Sequence, residues 1–433
     1  MISRRRFLEV GGVTAGTSLA LNPLLASPRA QRNDDSSLPP SLARLKSRKG
    51  EASPITCEER NERQERARKL MSENSLDAIL LMEGTSLKYF TGIRWWGGER
   101  LFAFVLPAKG AAFYVCPAFE EGRAREQIAN APEGERPEVR VWQEDESPYQ
   151  LIAGGLRECG LTTGKLGIEE TVRFVFAEGI VKVAPQVHVA SATPVTAGCR
   201  LIKSPHEIAL MRLAAHVTLA AYGAVYQALH PGMTRQDAGN LIDAAYRQQG
   251  FPGEASIEVD EYTAFPHGSA TLQVLREDSI VMIDDGCTVE GYQSDITRTF
   301  VLGKASDKMK HVFDIVHRAQ SAALAAARPG IEAGSVDTAA RKVITDAGYG
   351  PDYKYFPHRV GHGMGMDGHE WPYLVRGNTL KLQPHMTFSD EPGIYIRGEF
   401  GIRLEDDMRI TENGAELFTP QSPSLEEPFG KVA

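Results

Sequence analysis

From residue 56 onward, hydrophobic and polar residues follow two rhythms. Thr56-Cys57-Glu58-Glu59 has the spacing of a capping box, in which a hydroxyl and a glutamate satisfy the free amides at a helix start. A charged helix is predicted from there to about Glu73. Short apolar runs then alternate with longer amphipathic stretches. Strands are predicted at 78–82, 101–106, 111–116, 139–142, 166–169 and 187–190, with helices around 119–130, 149–158 and 172–181. Such alternation predicts an α/β domain.

A second pattern opens at Ser204-Pro205-His206-Glu207, again a capping box, with proline at the first helical position. Ile208, Met211, Ala215, Thr218, Tyr222 and Val225 follow at helical spacing, up to Pro231-Gly232, and a second helix runs to Gly250. Pro231 recurs as Pro329 and Gly250 as Gly348, both at an offset of 98 residues. Each copy reads as helix, Pro-Gly turn, second helix ending in Gly, then strand. This predicts an internally duplicated α+β domain, because a solenoid needs at least about three short repeats. A cleft is expected where the halves meet.

The N-terminus fits neither rhythm. Ser3-Arg4-Arg5-Arg6-Phe7-Leu8 is a basic cluster followed by a weakly apolar stretch broken by Gly11, Gly12, Gly16, Asn22 and Pro23. It is too short and interrupted for a membrane span and reads as an export signal over 1–30, of the twin-arginine type. A Pro- and Ser-rich linker is expected at 31–54, the α/β domain at 55–200 and the duplicated domain at 201–425. The implied location is periplasmic or extracellular, with no stable membrane span after signal removal.

Hydrophobic residues make up 42% and charged residues 24% of the 433, the profile of a globular enzyme. A formal net charge of -8 argues against nucleic acid as a partner. The five cysteines are scattered without a CxxC pair, which predicts packed thiols in place of a disulfide framework or zinc knuckle.

The chemistry concentrates in the duplicated half. Val281-Met282-Ile283-Asp284-Asp285-Gly286 is an apolar run ending in acid and glycine. With Gln293-Ser294-Asp295-Ile296-Thr297-Arg298-Thr299-Phe300 it reads as two strands joined by a turn, bringing Asp284 and Asp295 face to face. His362 lies in a glycine-rich run, and Glu391 and Glu405 in two further strand-like segments. An ionised acid in an apolar strand is costly unless paired or metal-bound. Two divalent cations would neutralise four carboxylates. One imidazole among oxygen donors favours an ion such as Mn2+ over the thiolate sites of structural Zn2+. Two ions bridged by carboxylates, about 3.5–4 Å apart, can generate hydroxide and polarise a carbonyl in one site. The residues alone predict a dinuclear metal hydrolase.

These segments, with Ser86-Leu87-Lys88-Tyr89-Phe90-Thr91-Gly92, resemble those of the pita-bread metallopeptidases: aminopeptidase P, prolidase and methionine aminopeptidase. The likeness spans about residues 55–420. It implies an α/β creatinase-type N-terminal domain, which methionine aminopeptidases generally lack, and an α+β internally duplicated pita-bread catalytic domain. It implies Asp284, Asp295, His362, Glu391 and Glu405 as ligands of two divalent ions, Mn2+ foremost, with Co2+, Zn2+ or Fe2+ as alternatives. Asp295 and Glu405 would bridge, Asp284 would hold one ion, and His362 and Glu391 the other. Glu391 matches the general base. His267 matches a histidine that helps stabilise the tetrahedral intermediate, and His369 one that hydrogen-bonds the substrate carbonyl or attacked oxygen. His358 matches a pocket-lining histidine and Arg403 an arginine supporting the metal shell. Asp285 and Asp406 should face away by strand alternation, and Glu370 and Asp390 match no role. The segment 369–376, with Trp371 and Tyr373, and the patch 95–100, with Trp95 and Trp96, depart from a generic member and bear on the substrate.

The implied activity is removal of an N-terminal residue from peptides with proline in second position. The alternatives are an Xaa-Pro dipeptidase (prolidase), a small-amide hydrolase on the same scaffold, and, more remotely, a non-catalytic peptide-binding module. A homodimer or homotetramer is expected from the resemblance. Replacing Arg4 and Arg5 by lysine is expected to leave the chain in the cytoplasm; unchanged export on cell fractionation would refute the twin-arginine reading.

Overall fold

The computed structural model describes residues 38–132 and 138–430. The expected export signal lies outside them. The chain first forms helix α1 (Pro40–Ala43) and helix α2 (Cys57–Glu73). Thr56 and Glu59 close the predicted capping box at the start of α2. Strand β1 (Ala78–Leu81), α3 (Thr85–Thr91), β2 (Ala103–Pro107), β3 (Phe113–Pro117), α4 (Glu121–Ile128), β4 (Glu138–Trp142), α5 (Pro148–Glu158), β5 (Gly164–Ile168), α6 (Phe174–Val183), β6 (Val187–Ser191) and α7 (Thr193–Leu201) follow. The strands form one mixed sheet in the order β4-β3-β2-β1-β5-β6. Its two faces feed different cores. Ile79, Leu81, Phe104, Leu106 and Tyr114 pack toward α2, whereas Leu80, Val105, Phe113 and Val115 face α5 and α6. Burial on both sides explains why these strands read as continuous apolar runs. Helices α3 and α7 were not expected from the pattern. α3 is only seven residues long and is closed by Gly92 in the left-handed conformation.

The duplicated half begins with α8 (Pro205–Tyr226) and α9 (Arg235–Gln249), then β7 (Ser256–Val259), β8 (Ile280–Asp284), β9 (Thr288–Val289), β10 (Tyr292–Gln293) and β11 (Arg298–Val301). Helices α10 (Asp307–Ala326) and α11 (Ala333–Asp346) open the second copy. It continues with β12 (Gly361–Gly363), β13 (Glu370–Leu374), β14 (Thr387–Asp390), β15 (Gly393–Ile396), β16 (Phe400–Arg403), β17 (Asp406–Ile410) and β18 (Ala415–Leu417). A three-stranded sheet, β11-β8-β7, belongs to the first copy, and a five-stranded sheet, β13-β12-β14-β17-β18, to the second. The repeat extends to its hydrogen bonds. Gly232 N donates to Leu275 O, and Leu275 N returns to Met233 O; Gly330 N donates to Leu382 O, and Leu382 N returns to Ile331 O. This is the pita-bread architecture preceded by a creatinase-type domain.

Two expectations need correction. The segment 39–54 is not a free linker. Pro40 starts α1, Leu42 is fully buried against α8 and α9, and Arg48 N donates to Gln249 O at 2.9 Å. Leu42, with Leu45 and Ala52 packed beside it, anchors the segment to the core, and composition averages hide so few apolar positions. The single strand expected at 293–300 is also broken. β10 pairs with β9 as a hairpin, β11 pairs with β8, and Asp295 lies in the loop between them. Leu42→Ala is expected to cost about 2–5 kcal/mol, the range for truncating a buried leucine, and to appear as a lowered thermal midpoint.

Candidate metal centre

Asp284 ends β8, where it leaves the apolar core for the cleft between the sheets. The backbone reverses at once. Asp285 adopts φ 86°, and Gly286 lies so close to Ser294 that a Cβ there would stand 2.2 Å from the Ser294 carbonyl oxygen. That contact closes the loop and returns Asp295 to the neighbourhood of Asp284. Asp407 accepts the Asp295 amide at 3.2–3.3 Å and fixes its backbone. In the second copy, Gly361 permits a similar approach of β12 to β14: a Cβ would meet Ser389 O at 2.1 Å. His362 N donates to Ser389 Oγ at 3.1 Å, and Glu391 N to Val360 O at 2.9 Å. Glu405 sits in the connector after β16, its amide on Thr297 O at 3.2 Å.

All five expected ligands come together. The donor atoms of Asp284, Asp295 and Glu405 lie within 4.8 Å of one another, as do those of His362, Glu391 and Glu405, and of Asp295, His362 and His369. Asp295, Glu405 and His362 each belong to two of these groups, but the two carboxylates have two oxygens apiece to share as a bridging ligand needs, whereas His362 has its Nδ1 on Gly363 O and one free ring nitrogen. The groups line a cavity of about 650 Å³ together with His267, His358, Arg359, His369 and Arg403. The nine candidate site residues named from sequence therefore line one cavity.

The electrostatics fit two cations. Burial, then Asp284 and Glu391, push the Asp295 carboxyl far above its usual range. Burial, then Asp295 and Glu391, do the same to Glu405. Glu391 is pushed up to about 7, by burial first and Asp284 next. Burial raises Asp284 as well, yet Arg403 and Thr297 outweigh it and hold this one carboxyl low. Thr297 Oγ1 lies 2.5 Å from both Asp284 Oδ1 and Glu405 Oε2 but has one proton to give. His362 is held neutral, its pKa lowered to about 3 by burial and then by His369. Its Nδ1 contacts Gly363 O at 3.1 Å, which leaves the Nε2 lone pair facing Glu391 Oε1 at 3.3 Å and Asp295 Oδ2 at 3.6 Å. A lone pair opposed to two carboxylates is repulsive until a cation stands between them.

A chain of hydrogen bonds supports this cluster. Arg403 reaches Asp284 through Nη2 and Thr297 Oγ1 through Nε at 2.9 Å. Its Nη1 donates to Pro266 O and Tyr395 Oη, both at 3.0 Å. Tyr395 Oη donates to His358 Nε2 at 2.8 Å, and His358 Nδ1 donates to Arg359 O at 2.8 Å. His358 is thereby fixed as a neutral tautomer beside Glu391, 3.7 Å away. His369 stacks on His362 with centroids 3.7 Å apart, and Arg359 Nη2 lies 3.1 Å from its Nδ1. His267 stands exposed at the mouth.

Asp406 faces away, as strand alternation requires, onto Arg298, Thr419 and Gln320. Asp285, expected to do the same, lines the cavity, because its positive φ breaks the alternation. Thr297, Tyr395 and Arg359 were not singled out from sequence, although Thr297 and Tyr395 stand inside two of the segments that were. Trp95 stacks on Phe102 at 4.0 Å under Arg123, and Trp96 is exposed.

Fold and site together define a metal-dependent hydrolase of the pita-bread type. The description of metallopeptidase family M24 matches residues 209–412, and that of the creatinase/prolidase N-terminal domain matches residues 63–202. The chain is 32% identical to the Xaa-Pro dipeptidase of Lactobacillus helveticus over 82% of this chain and 96% of that one. Among solved structures, dipeptidase PepE from Mycobacterium ulcerans is 32% identical with a TM-score of 0.80, covering 86% of this chain and 99% of that one. Escherichia coli aminopeptidase P shares the fold at 21% identity, with a TM-score of 0.69 over 87% and 97%. The chain belongs to metallopeptidase family M24.

The raised carboxyls set a sign for stability. Groups whose folded pKa lies above the unfolded value, such as Glu391 at about 7 against 4.5, stabilise the fold below 4.5 and lose that contribution as pH rises through 7. The chelated protein should therefore lose thermal stability between pH 4.5 and 7. Added Mn2+ should restore more at pH 8 than at pH 5. Equal restoration at both pH values, by differential scanning fluorimetry, would refute this account of the cluster.

Proposed function

We propose that this chain is a metal-dependent dipeptidase that cleaves Xaa-Pro dipeptides. From sequence, cleavage of longer peptides comes first and of dipeptides second. The relatives at 30% identity or more favour the reverse order, and one observation in the cavity supports them. Arg359 has no carboxylate partner among the described residues, and its guanidinium rests 4.0 Å over the Tyr373 ring. Arg403, the other arginine lining the cavity, is committed to Asp284, Thr297, Tyr395 and Pro266. An unpaired guanidinium beside the metal ligands suits a free carboxylate close to the scissile bond. A dipeptide has one there; a longer peptide has a neutral amide.

Asp284, Asp295, His362, Glu391 and Glu405 would hold two divalent ions, and the donor set of oxygens with one imidazole suits Mn2+. Such a pair supplies an activated water and a Lewis acid for the carbonyl. Glu391 would take the proton of the attacking water. His369 and His267 present ring nitrogens toward the oxygen that gains charge. Arg359 orients the substrate by its carboxylate. The wall formed by Pro266 and Val375 is apolar and asks for no N–H from the substrate, which suits the tertiary amide before proline.

The test is a panel of an Xaa-Pro dipeptide, the same dipeptide as its C-terminal amide, an Xaa-Pro tripeptide and an Xaa-Ala dipeptide, each with Mn2+ and after chelation. Metal-dependent cleavage favouring the free Xaa-Pro dipeptide is expected. Preference for the tripeptide would return the reading to an aminopeptidase. Arg359→Ala is expected to raise KM for the dipeptide about 10- to 100-fold, the scale of one charged hydrogen bond, and to leave KM for the amide unchanged. An equal rise for both would refute the carboxylate role.

A further inference from the structure

One buried ionic cluster has no part in the chemistry above. Glu370 directly follows His369 and opens β13 with its side chain buried. Its Oε1 accepts the amides of Met366 at 2.8 Å and Asp367 at 3.1 Å, and Arg200 Nη2 at 2.5 Å and Nε at 3.2 Å. Its Oε2 accepts Lys203 Nζ at 3.2 Å. Arg200 Nη2 also reaches Asp367 Oδ2 at 2.5 Å, and Thr85 Oγ1 donates to Asp367 Oδ1. Arg200 lies near the end of α7 and Thr85 opens α3, so both come from the N-terminal domain. From the other side, Gln293 holds the same loop. Its N donates to Gly365 O at 2.7 Å and its Nε2 to Met366 O at 3.0 Å. Gly365 has no room for a side chain: a Cβ would stand 2.9–3.0 Å from the Glu370 oxygens and the Lys203 stem. The loop 364–370 is wound round one carboxylate.

Burial would raise the Glu370 pKa, yet Lys203 and Arg200 hold it down at about 2, so the group is charged at any working pH. A buried ion pair is weak evidence of added stability, since desolvation consumes most of the attraction. It does define geometry, because a fork of guanidinium donors admits few arrangements. What this geometry places is His369. Its imidazole projects into the cavity, where it stacks on His362 and lies 3.1 Å from Arg359 Nη2, and no carboxylate among the described residues forms an ion pair with it. The position of its backbone is therefore set one residue further on, at Glu370.

We propose that Arg200, Lys203 and Glu370 are positioning residues through which the N-terminal domain sets the place of His369 in the active cavity. This rests on the hydrolase reading and extends it: the N-terminal domain is part of the catalytic apparatus of its own chain. Arg200→Ala is expected to lower kcat on an Xaa-Pro dipeptide about 10- to 100-fold, since a displacement near 1 Å has that effect. KM should change less, and the bound metal should stay at two ions per chain.

The decisive measurement is a double-variant cycle with His369→Ala. If Arg200 acts through His369, the double variant is no slower than His369→Ala alone. Arg200→Lys, which keeps the charge and loses the fork, recovers part of the rate. Losses that multiply in the double variant would overturn the proposal, as would a loss of metal that accounts for the fall. Thr85→Val removes a single hydroxyl and carries the same cycle should Arg200→Ala fail to fold; multiplied losses there overturn the proposal too. A native chain that cleaves no Xaa-Pro dipeptide refutes the dipeptidase reading alone, and the cycle is then read on the tripeptide or small amide that it does cleave.

Discussion

Mutual repulsion among carboxylates packed into one apolar cleft is the constraint on which this structure depends. Asp284, Asp295, Glu391 and Glu405 are brought together by chain segments far apart in sequence, and among the described residues Arg403 is the one arginine or lysine that pairs with any of them, while Arg359 acts on Glu391 from a distance. One guanidinium settles one carboxylate. The others are driven toward protonation, and a neutral imidazole turns its lone pair onto two of them. A fold that holds such an arrangement must be rigid around it and must draw its remaining positive charge from bound ions.

The rigidity comes from joining the two copies across the cleft. The first copy supplies Asp284 and Asp295, the second His362, Glu391 and Glu405, so neither half has a site alone. β11 of the first copy is tied to the β16–β17 connector of the second. Thr299 Oγ1 donates to Arg403 O at 2.8 Å, Arg298 Nη1 to Glu405 O at 2.8 Å, and Arg298 Nη2 to Asp406 Oδ1 at 2.6 Å. Arg298 is fully buried, and its pairing with Asp406 is the counterpart of the Arg403–Asp284 pair on the opposite side of the same backbone. Alternate residues of one strand thus serve the site and its support in turn.

Most of the helices and strands were legible because their signals are local. The capping boxes at Thr56 and Ser204, the Pro-Gly turns and the offset of 98 residues need only a few neighbouring positions. The ligand set was legible because acids at the ends of apolar runs are conspicuous, and the resemblance assigned their roles. Contacts decided by distant partners were not legible. Leu42 looks like part of a linker until α8 and α9 are placed beneath it. Asp285 obeys alternation on paper and breaks it because the turn at Gly286 forces a positive φ. Glu370 carries no message of its own, since its partners stand 167 and 170 residues away.

Chemistry and selectivity are divided between different parts of the cavity. The ligands are locked by hydrogen bonds to backbone and to Arg403, so a change there disturbs the whole charge balance. Arg359 is held differently. An aromatic face beneath it and an imidazole beside it stabilise a cation without neutralising it, by cation–π attraction and a single hydrogen bond. A carboxylate in the same position would have anchored the side chain more firmly and cancelled its charge. Under the proposed reading, Tyr373 would keep Arg359 available to an incoming carboxylate, and the aromatic character of the segment would serve that purpose. The contact also joins two networks, because Arg359 touches His369 while Glu370, the next residue, binds the amides of Met366 and Asp367 in the same loop. Under the proposed dipeptidase reading, recognition of the substrate terminus and placement of the His369 imidazole would meet at Arg359.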